Sequence, residues 1–170
     1  MKAVTLFFVF ISAFWVKISL AYDVQLNVTG HITASGCILD SESEVIDVDM
    51  KDINITQLVQ PNNRVQMTPF TIRLKECAAS VSSAVVTLSG APDDANSDFL
   101  SLAEGGASGV AIKIMDEDKK IIPINTTSKN YFLTQGDTMV LQFYAQYVAT
   151  GSTLRAGNAN STATYVVSFP

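Results

Sequence analysis

The residues of this chain whose types could support chemistry are two cysteines, one histidine, a run of three acids and a glycine-rich stretch. Cys37 and Cys77 stand 40 positions apart, which is not the ligand spacing of a zinc site, and a single histidine cannot supply the missing ligands. His31 is that single histidine. Without a second histidine, no serine or cysteine nucleophile has its usual general base nearby. His31 falls on the polar side of an alternating run, so we interpret it as an exposed strand residue.

The acidic and glycine-rich stretches predict turns and not binding sites. Asp116–Asp118 lacks the spaced ligands of a calcium-binding loop, and two lysines follow it directly, so a hairpin turn is the better interpretation. The glycines of Glu104–Gly109 are followed neither by a Lys-Ser/Thr pair nor by a helical pattern, which a phosphate-binding loop needs. The sequence therefore predicts no catalytic residue, no metal site and no cofactor.

The first 21 residues have the organisation of an export signal. Lys2 provides a positive start, and Ala3–Val16 is an uncharged run of 14 residues. That run is shorter than the ~20 residues that a membrane span requires. Ser19 and Ala21 satisfy the small-residue rule of a cleavage site, so we expect a signal peptide at 1–21.

The mature chain that remains has the size of a single domain, with 149 residues. It contains nine basic and sixteen acidic residues, a net charge of −7, which argues against a nucleic-acid or anionic-membrane partner. Two cysteines in an exported chain predict one disulfide between Cys37 and Cys77. The loop-entropy model gives that bond about 4 kcal/mol of stabilisation.

Strand-like runs, separated by turn-forming clusters, recur along the mature chain and predict a β-sandwich. The longest, Thr138–Val148, places Met139, Leu141, Phe143 and further apolar residues on one face. Helical patterning is limited to a single predicted turn within Asp52–Leu58. The other predicted runs are Glu44–Met50, Pro69–Glu76, Ala84–Ser89, Val110–Met115, Lys120–Ile124 and Ser161–Phe169.

The mature N-terminus carries the strictest alternation, from Tyr22 to Ile32, which is typical of a half-buried strand. Periodicity alone fits two interpretations equally: an arm that pairs with another domain, or the first strand of a complete sandwich. The residues on the predominantly apolar face are Val24, Leu26, Val28, Gly30 and Ile32.

The N-terminal half of the mature chain resembles the type 1 fimbrial (chaperone–usher) pilins. The segment DVQLNVTGHI is similar to the N-terminal extension of that family, with Gly30 at its fourth inward position. Cys37 and Cys77 match the family's single disulfide in place and spacing, and FTIRLKEC resembles the segment that leads into the second cysteine.

The C-terminal half resembles the same family. LQFYAQYVATG is similar to its penultimate strand, Gly157 lies fourteenth from the C-terminus and Phe169 lies second from last. A glycine paired with a penultimate aromatic is typical of these subunits, although tyrosine is more frequent than phenylalanine there. The terminal Pro170 is a further departure from the family pattern.

The resemblance implies an all-β fold, an incomplete immunoglobulin-like sandwich that lacks its last strand and is completed by a donor strand. It divides the chain into a signal peptide at 1–21, a donor-strand extension at 22–36 and a pilin domain at 37–170. The inward residues of the extension would be the donor strand. The C-terminal strand would form a groove wall that also faces the chaperone, through Gly157, Ala163, Tyr165, Val167 and Phe169.

The function that the resemblance implies is that of a structural subunit of a Gram-negative fimbria, which polymerises by donor-strand exchange and supports adhesion. Its implied partners are a periplasmic pilus chaperone, an outer-membrane usher and neighbouring pilins, with export through the periplasm to the cell surface. The alternatives are a monomeric secreted immunoglobulin-like binding domain, or a tip-proximal adaptor or adhesive subunit. An extension that begins at residue 22 leaves no room for the lectin domain of a two-domain tip adhesin. The sequence fits a subunit of the pilus shaft and an adaptor subunit near the tip equally well.

Overall fold

A computed structural model describes residues 36–59, 65–133, 137–151 and 153–170. The predicted signal peptide and all five inward residues of the predicted extension therefore lie outside the described residues. The elements are β1 (Ile38–Leu39), a 3-10 helix (Ser41–Ser43), α1 (Ile55–Leu58), β2 (Thr68–Lys75), β3 (Ser83–Ser89), β4 (Val110–Met115), β5 (Tyr131–Phe132), β6 (Met139–Ala149) and β7 (Thr164–Ser168).

The strands form two antiparallel sheets. The larger has the order β1-β2-β6-β4 and the smaller has the order β5-β3-β7. The predicted all-β class is confirmed, and β2, β3, β4 and β6 lie where alternation or β-branched composition placed them. The one predicted helical turn is also present, because Asn54 caps it: the Asn54 side chain accepts a hydrogen bond from Thr56 N, and Gln57 Oε1 accepts one from Asn54 N.

The core lies between the facing surfaces of the two sheets. Phe70 and Phe143 are opposite one another on β2 and β6, with ring centroids 5.4 Å apart. Tyr131, from the smaller sheet, meets Phe143 edge to face at 5.6 Å. Phe143 is fully buried, and so is Ile72 on β2. These aromatic contacts join the two sheets at the centre of the sandwich.

The Cys37–Cys77 disulfide is present and joins the residue before β1 to the loop after β2. β1 is only two residues long and pairs with the end of β2 through Ile38↔Lys75 and Leu39↔Leu74. The bond therefore fixes the start of the domain to its larger sheet, which so short a strand could not do by itself.

Two predicted runs are not strands. In Lys120–Ile124 only Ile121 forms an isolated bridge, to Met115, because Pro123 has no N–H to donate to a ladder. Glu44–Met50 alternates in exposure as expected but pairs with no strand in the described part of the chain. β1 and β5, of two residues each, were missed because alternation cannot be recognised over so short a stretch.

Candidate functional site: an apolar groove at the edge of the smaller sheet

An open groove of about 1030 Å³ lies beside the smaller sheet. One side is formed by residues 44–53, here called the 44–53 wall. The other is formed by residues 157–165, which lead into β7 and are called the C-terminal wall. Both sheets contribute to the apolar floor, through Phe70, Leu88, Leu100, Ile112, Ile114, Ala145 and Tyr147.

The C-terminal wall leads into a strand that is paired on one side only. β7 pairs with β3 over five residues, from Ser89↔Thr164 to Val85↔Ser168. Within the described ranges its other edge carries no ladder, and its first two residues, Thr164 and Tyr165, line the groove. Its backbone N–H and C=O groups on that side are available to a further strand.

The 44–53 wall has the side-chain pattern of a strand without the hydrogen bonds of one. Ile46, Val48 and Met50 are half-buried toward the groove, whereas Asp47 and Asp49 are exposed. Period-2 burial is that of an extended segment beside an apolar surface, and no strand of the described ranges pairs with it. The groove therefore presents two extended backbone segments on either side of an apolar floor.

Two tyrosine hydroxyls show how the walls run relative to each other. At one end, the Tyr165 hydroxyl donates to the carbonyl oxygen of Ser43, just before the 44–53 wall begins. At the other end, the Tyr147 hydroxyl donates to Ala159 O at 2.8 Å. Burial raises the pKa of Tyr147, and the nearby carboxylate of Asp49 raises it further. The two walls therefore run antiparallel to each other. A strand inserted between them would be antiparallel to one wall and parallel to the other.

The five predicted C-terminal residues are divided between the groove and the core beyond it. Gly157, Ala163 and Tyr165 line the groove. Val167 and Phe169 are half-buried and pack against the hydrophobic core without lining the groove. The Phe169 ring lies against Gly36, where a Cβ atom would be 3.0 Å from Phe169 Cε2.

Gly157 is required by a close approach of two backbones. A Cβ atom at this position would lie 2.7 Å from Ala107 N and 2.7 Å from Gly106 C. The loop and the C-terminal wall are joined by hydrogen bonds from Ala107 N to Asn158 O and from Ala103 N to Asn160 O, each 2.8 Å long. The glycine therefore lets the C-terminal wall lie flat against the 103–109 loop.

The acidic run at Asp116–Asp118 is a turn, as predicted. Asp116 is buried, and its Oδ1 accepts from the N–H groups of Asp118 and Lys120 at 2.9 Å each. Lys129 Nζ lies 2.8 Å from Glu117 Oε1 and 2.6 Å from Asp118 Oδ2. The hydrogen bond from Lys129 lowers the pKa of Asp118.

The four ranges that the structure describes contain no group of three residues placed to hold a metal ion, and none of their helices is long and apolar enough to cross a membrane.

Sequence reasoning missed the second wall of the groove. The alternation of Glu44–Met50 was visible, but nothing local showed that its partner position lay beside β7. The Tyr165–Ser43 bond joins residues 122 positions apart and has no sequence signal at all.

Comparison with known proteins gives one consistent family. Residues 26–170 match the family model described as fimbrial protein. The uncharacterized fimbrial-like protein YcbV of Escherichia coli K12 is 36% identical over 151 residues, which cover 88% of this chain and 87% of that protein.

Two solved structures share the fold. A type I fimbria protein and antigen of Burkholderia pseudomallei is 30% identical with a TM-score of 0.62, and the match covers 81% of this chain and 91% of that one. A chain from a chaperone–usher pilus, at 16% identity, has a TM-score of 0.66 and covers 91% of this chain and 99% of its own. The second likeness concerns the fold alone.

Proposed function

The chain belongs to the fimbrial protein family, and on that premise we propose that it polymerises by donor-strand exchange as a structural subunit of a chaperone–usher pilus. It is a pilin whose immunoglobulin-like sandwich lacks its last strand, and it associates with other pilin subunits at the cell surface. In our proposal a periplasmic chaperone first supplies the completing strand. The N-terminal extension of the next subunit then replaces it at the outer-membrane usher.

The observation that carries this proposal is the apolar groove between the 44–53 wall, which pairs with no strand in the described ranges, and β7, which pairs there on one edge only. A strand inserted there would add to the free edge of β7 by β-augmentation, a recognition mode already known to include donor-strand complementation of pilins. The apolar floor would receive alternate side chains of the inserted strand.

The N-terminal extension supplies side chains that suit such a groove. Val24, Leu26, Val28 and Ile32 would contribute roughly 6–12 kcal/mol in total, before the costs of ordering, at about 1.5–3 kcal/mol for each buried side chain. Gly30 would lie where the floor leaves least room. This assignment keeps the proposed division into a signal peptide at 1–21, an extension to residue 36 and a pilin domain from residue 37.

Assembly of the purified mature chain, residues 22–170, tests the proposal. Polymers that survive detergent should appear as a ladder on unheated gels. Leu26→Asp should abolish the ladder, because it places an unpaired carboxylate against the apolar floor. Gln25→Asp, the matched control on the polar face, should assemble like the unmodified chain. A normal ladder from Leu26→Asp would show that the extension is not the inserted strand.

A further inference from the structure

The hydrogen bond from the Tyr165 hydroxyl to the Ser43 carbonyl joins the two sides of the groove directly. We propose that this bond is a strut that holds the groove at the width of one strand, which makes Tyr165 a positioning residue for strand capture. The inference rests on the proposed function, because it assigns a role in admitting the strand that completes the sandwich.

The base of the strut is fixed to the larger sheet. Ser43 is only 2% exposed, and its Oγ accepts a hydrogen bond from Arg73 N of β2 at 2.9 Å. Its own N–H donates to Asp40 O at 2.8 Å, and Asp40 N donates to Arg73 O at 2.9 Å. These bonds hold Ser43 against β2, so its carbonyl is a fixed acceptor and not a mobile loop oxygen.

The other end of the strut is anchored in β7. Tyr165 is opposite Leu88 in the ladder with β3, and its side chain is half-buried on the groove side. Burial raises the pKa of Tyr165, and the Glu44 carboxylate raises it further. The hydroxyl therefore stays protonated and keeps its ability to donate throughout the physiological range.

The length of the strut suits one inserted strand. Neighbouring strands lie about 4.8 Å apart, so the two segments that flank one inserted strand are separated by about 9.6 Å. We infer a separation of this size at this end of the groove, because one tyrosine side chain and one hydrogen bond join the two walls there. Because the Tyr165 side chain points toward the interior, it can pass beneath an inserted backbone.

Without the strut, the 44–53 wall has little to keep it away from β7. It has no ladder within the described ranges, and its half-buried Ile46, Val48 and Met50 face an apolar floor. Burying these side chains more completely would draw the wall across the groove. A strand would then have to displace the wall before it could bind, which would slow association more than dissociation.

The test uses the mature chain, residues 22–170, at concentrations too low for polymerisation. A fluorescein-labelled peptide of residues 22–35 is added, and fluorescence anisotropy follows its association. A chase with unlabelled peptide gives the dissociation rate. Tyr165→Phe should slow association about fivefold and leave dissociation within a factor of two. The control is Tyr131→Phe, because Tyr131 is a buried tyrosine of the smaller sheet that does not line the groove, so its hydroxyl does not join the two walls.

The outcomes separate this inference from the function on which it rests. If the unmodified chain binds the peptide and Tyr165→Phe associates at the same rate, the strut does not position the groove. Equal slowing by Tyr131→Phe would assign the effect to loss of any tyrosine hydroxyl and also overturn the inference. If the unmodified chain does not bind the peptide, donor-strand exchange fails together with the strut.

Discussion

Replacing Phe143 with alanine should remove about 3–5 kcal/mol from the free energy of unfolding, the usual cost of truncating a buried phenylalanine. Phe143 is fully buried on β6 and contacts Phe70 on the same sheet and Tyr131 on the opposite one. The substitution would therefore leave a cavity where the two sheets meet. Neither sheet can move to fill it without disturbing its own ladder.

Phe132→Ala is the matched control for this prediction, since Phe132 is 68% exposed on β5 and should change stability by less than about 0.5 kcal/mol. Urea unfolding of both variants, in the presence of the extension peptide, measures the two effects. A loss below about 1 kcal/mol for Phe143→Ala would mean that the sheets are not joined by this aromatic cluster.

Loss of the Cys37–Cys77 disulfide is the second change with a large expected effect. The bond closes a loop with a sequence separation of 40, for which the loop-entropy model gives about 4 kcal/mol. β1 has only two residues, so without the bond the start of the domain would depend on one short pairing with β2. The adjacent contact between Gly36 and the Phe169 ring should loosen as well.

The double variant Cys37→Ser/Cys77→Ser, compared with the oxidised chain by thermal unfolding, measures this contribution. The same comparison with and without reductant provides a control in which no residue is changed. Equal stability of the oxidised chain and the double variant would show that β1 and its contacts hold the start of the domain without the covalent bond.

Long alternating runs made most of the fold predictable from the sequence. β2 and β6 bury mainly one face, and their apolar residues repeat largely at every second position. β4 is buried at every position except the half-buried Lys113, so its composition and not its alternation identifies it as a strand. An alternating pattern reports which face is buried, but it does not report which strand lies alongside. For this reason Glu44–Met50 is predicted as an alternating run, whereas its place in the second side of a groove is visible only in three dimensions.

The details that make the groove usable depend on contacts between distant residues. Tyr165 was expected on a groove wall, but its bond to Ser43 follows from how β7 and the 3-10 helix approach one another. The need for glycine at position 157 likewise comes from the backbone of the 103–109 loop. Neither contact produces a periodic pattern in the sequence, because each joins two segments that are distant along the chain and meet only in the folded domain.

Thermal unfolding of residues 36–170, with and without a peptide of residues 22–35, tests the central claim most directly. The domain alone should aggregate or melt at low temperature, because within the described ranges one edge of β7 and the whole 44–53 wall carry no ladder beside an apolar groove. The peptide should raise the melting temperature by more than about 10 °C. A domain that melts cooperatively at the same temperature with and without the peptide would be complete in itself, and the polymerising-subunit account would be wrong.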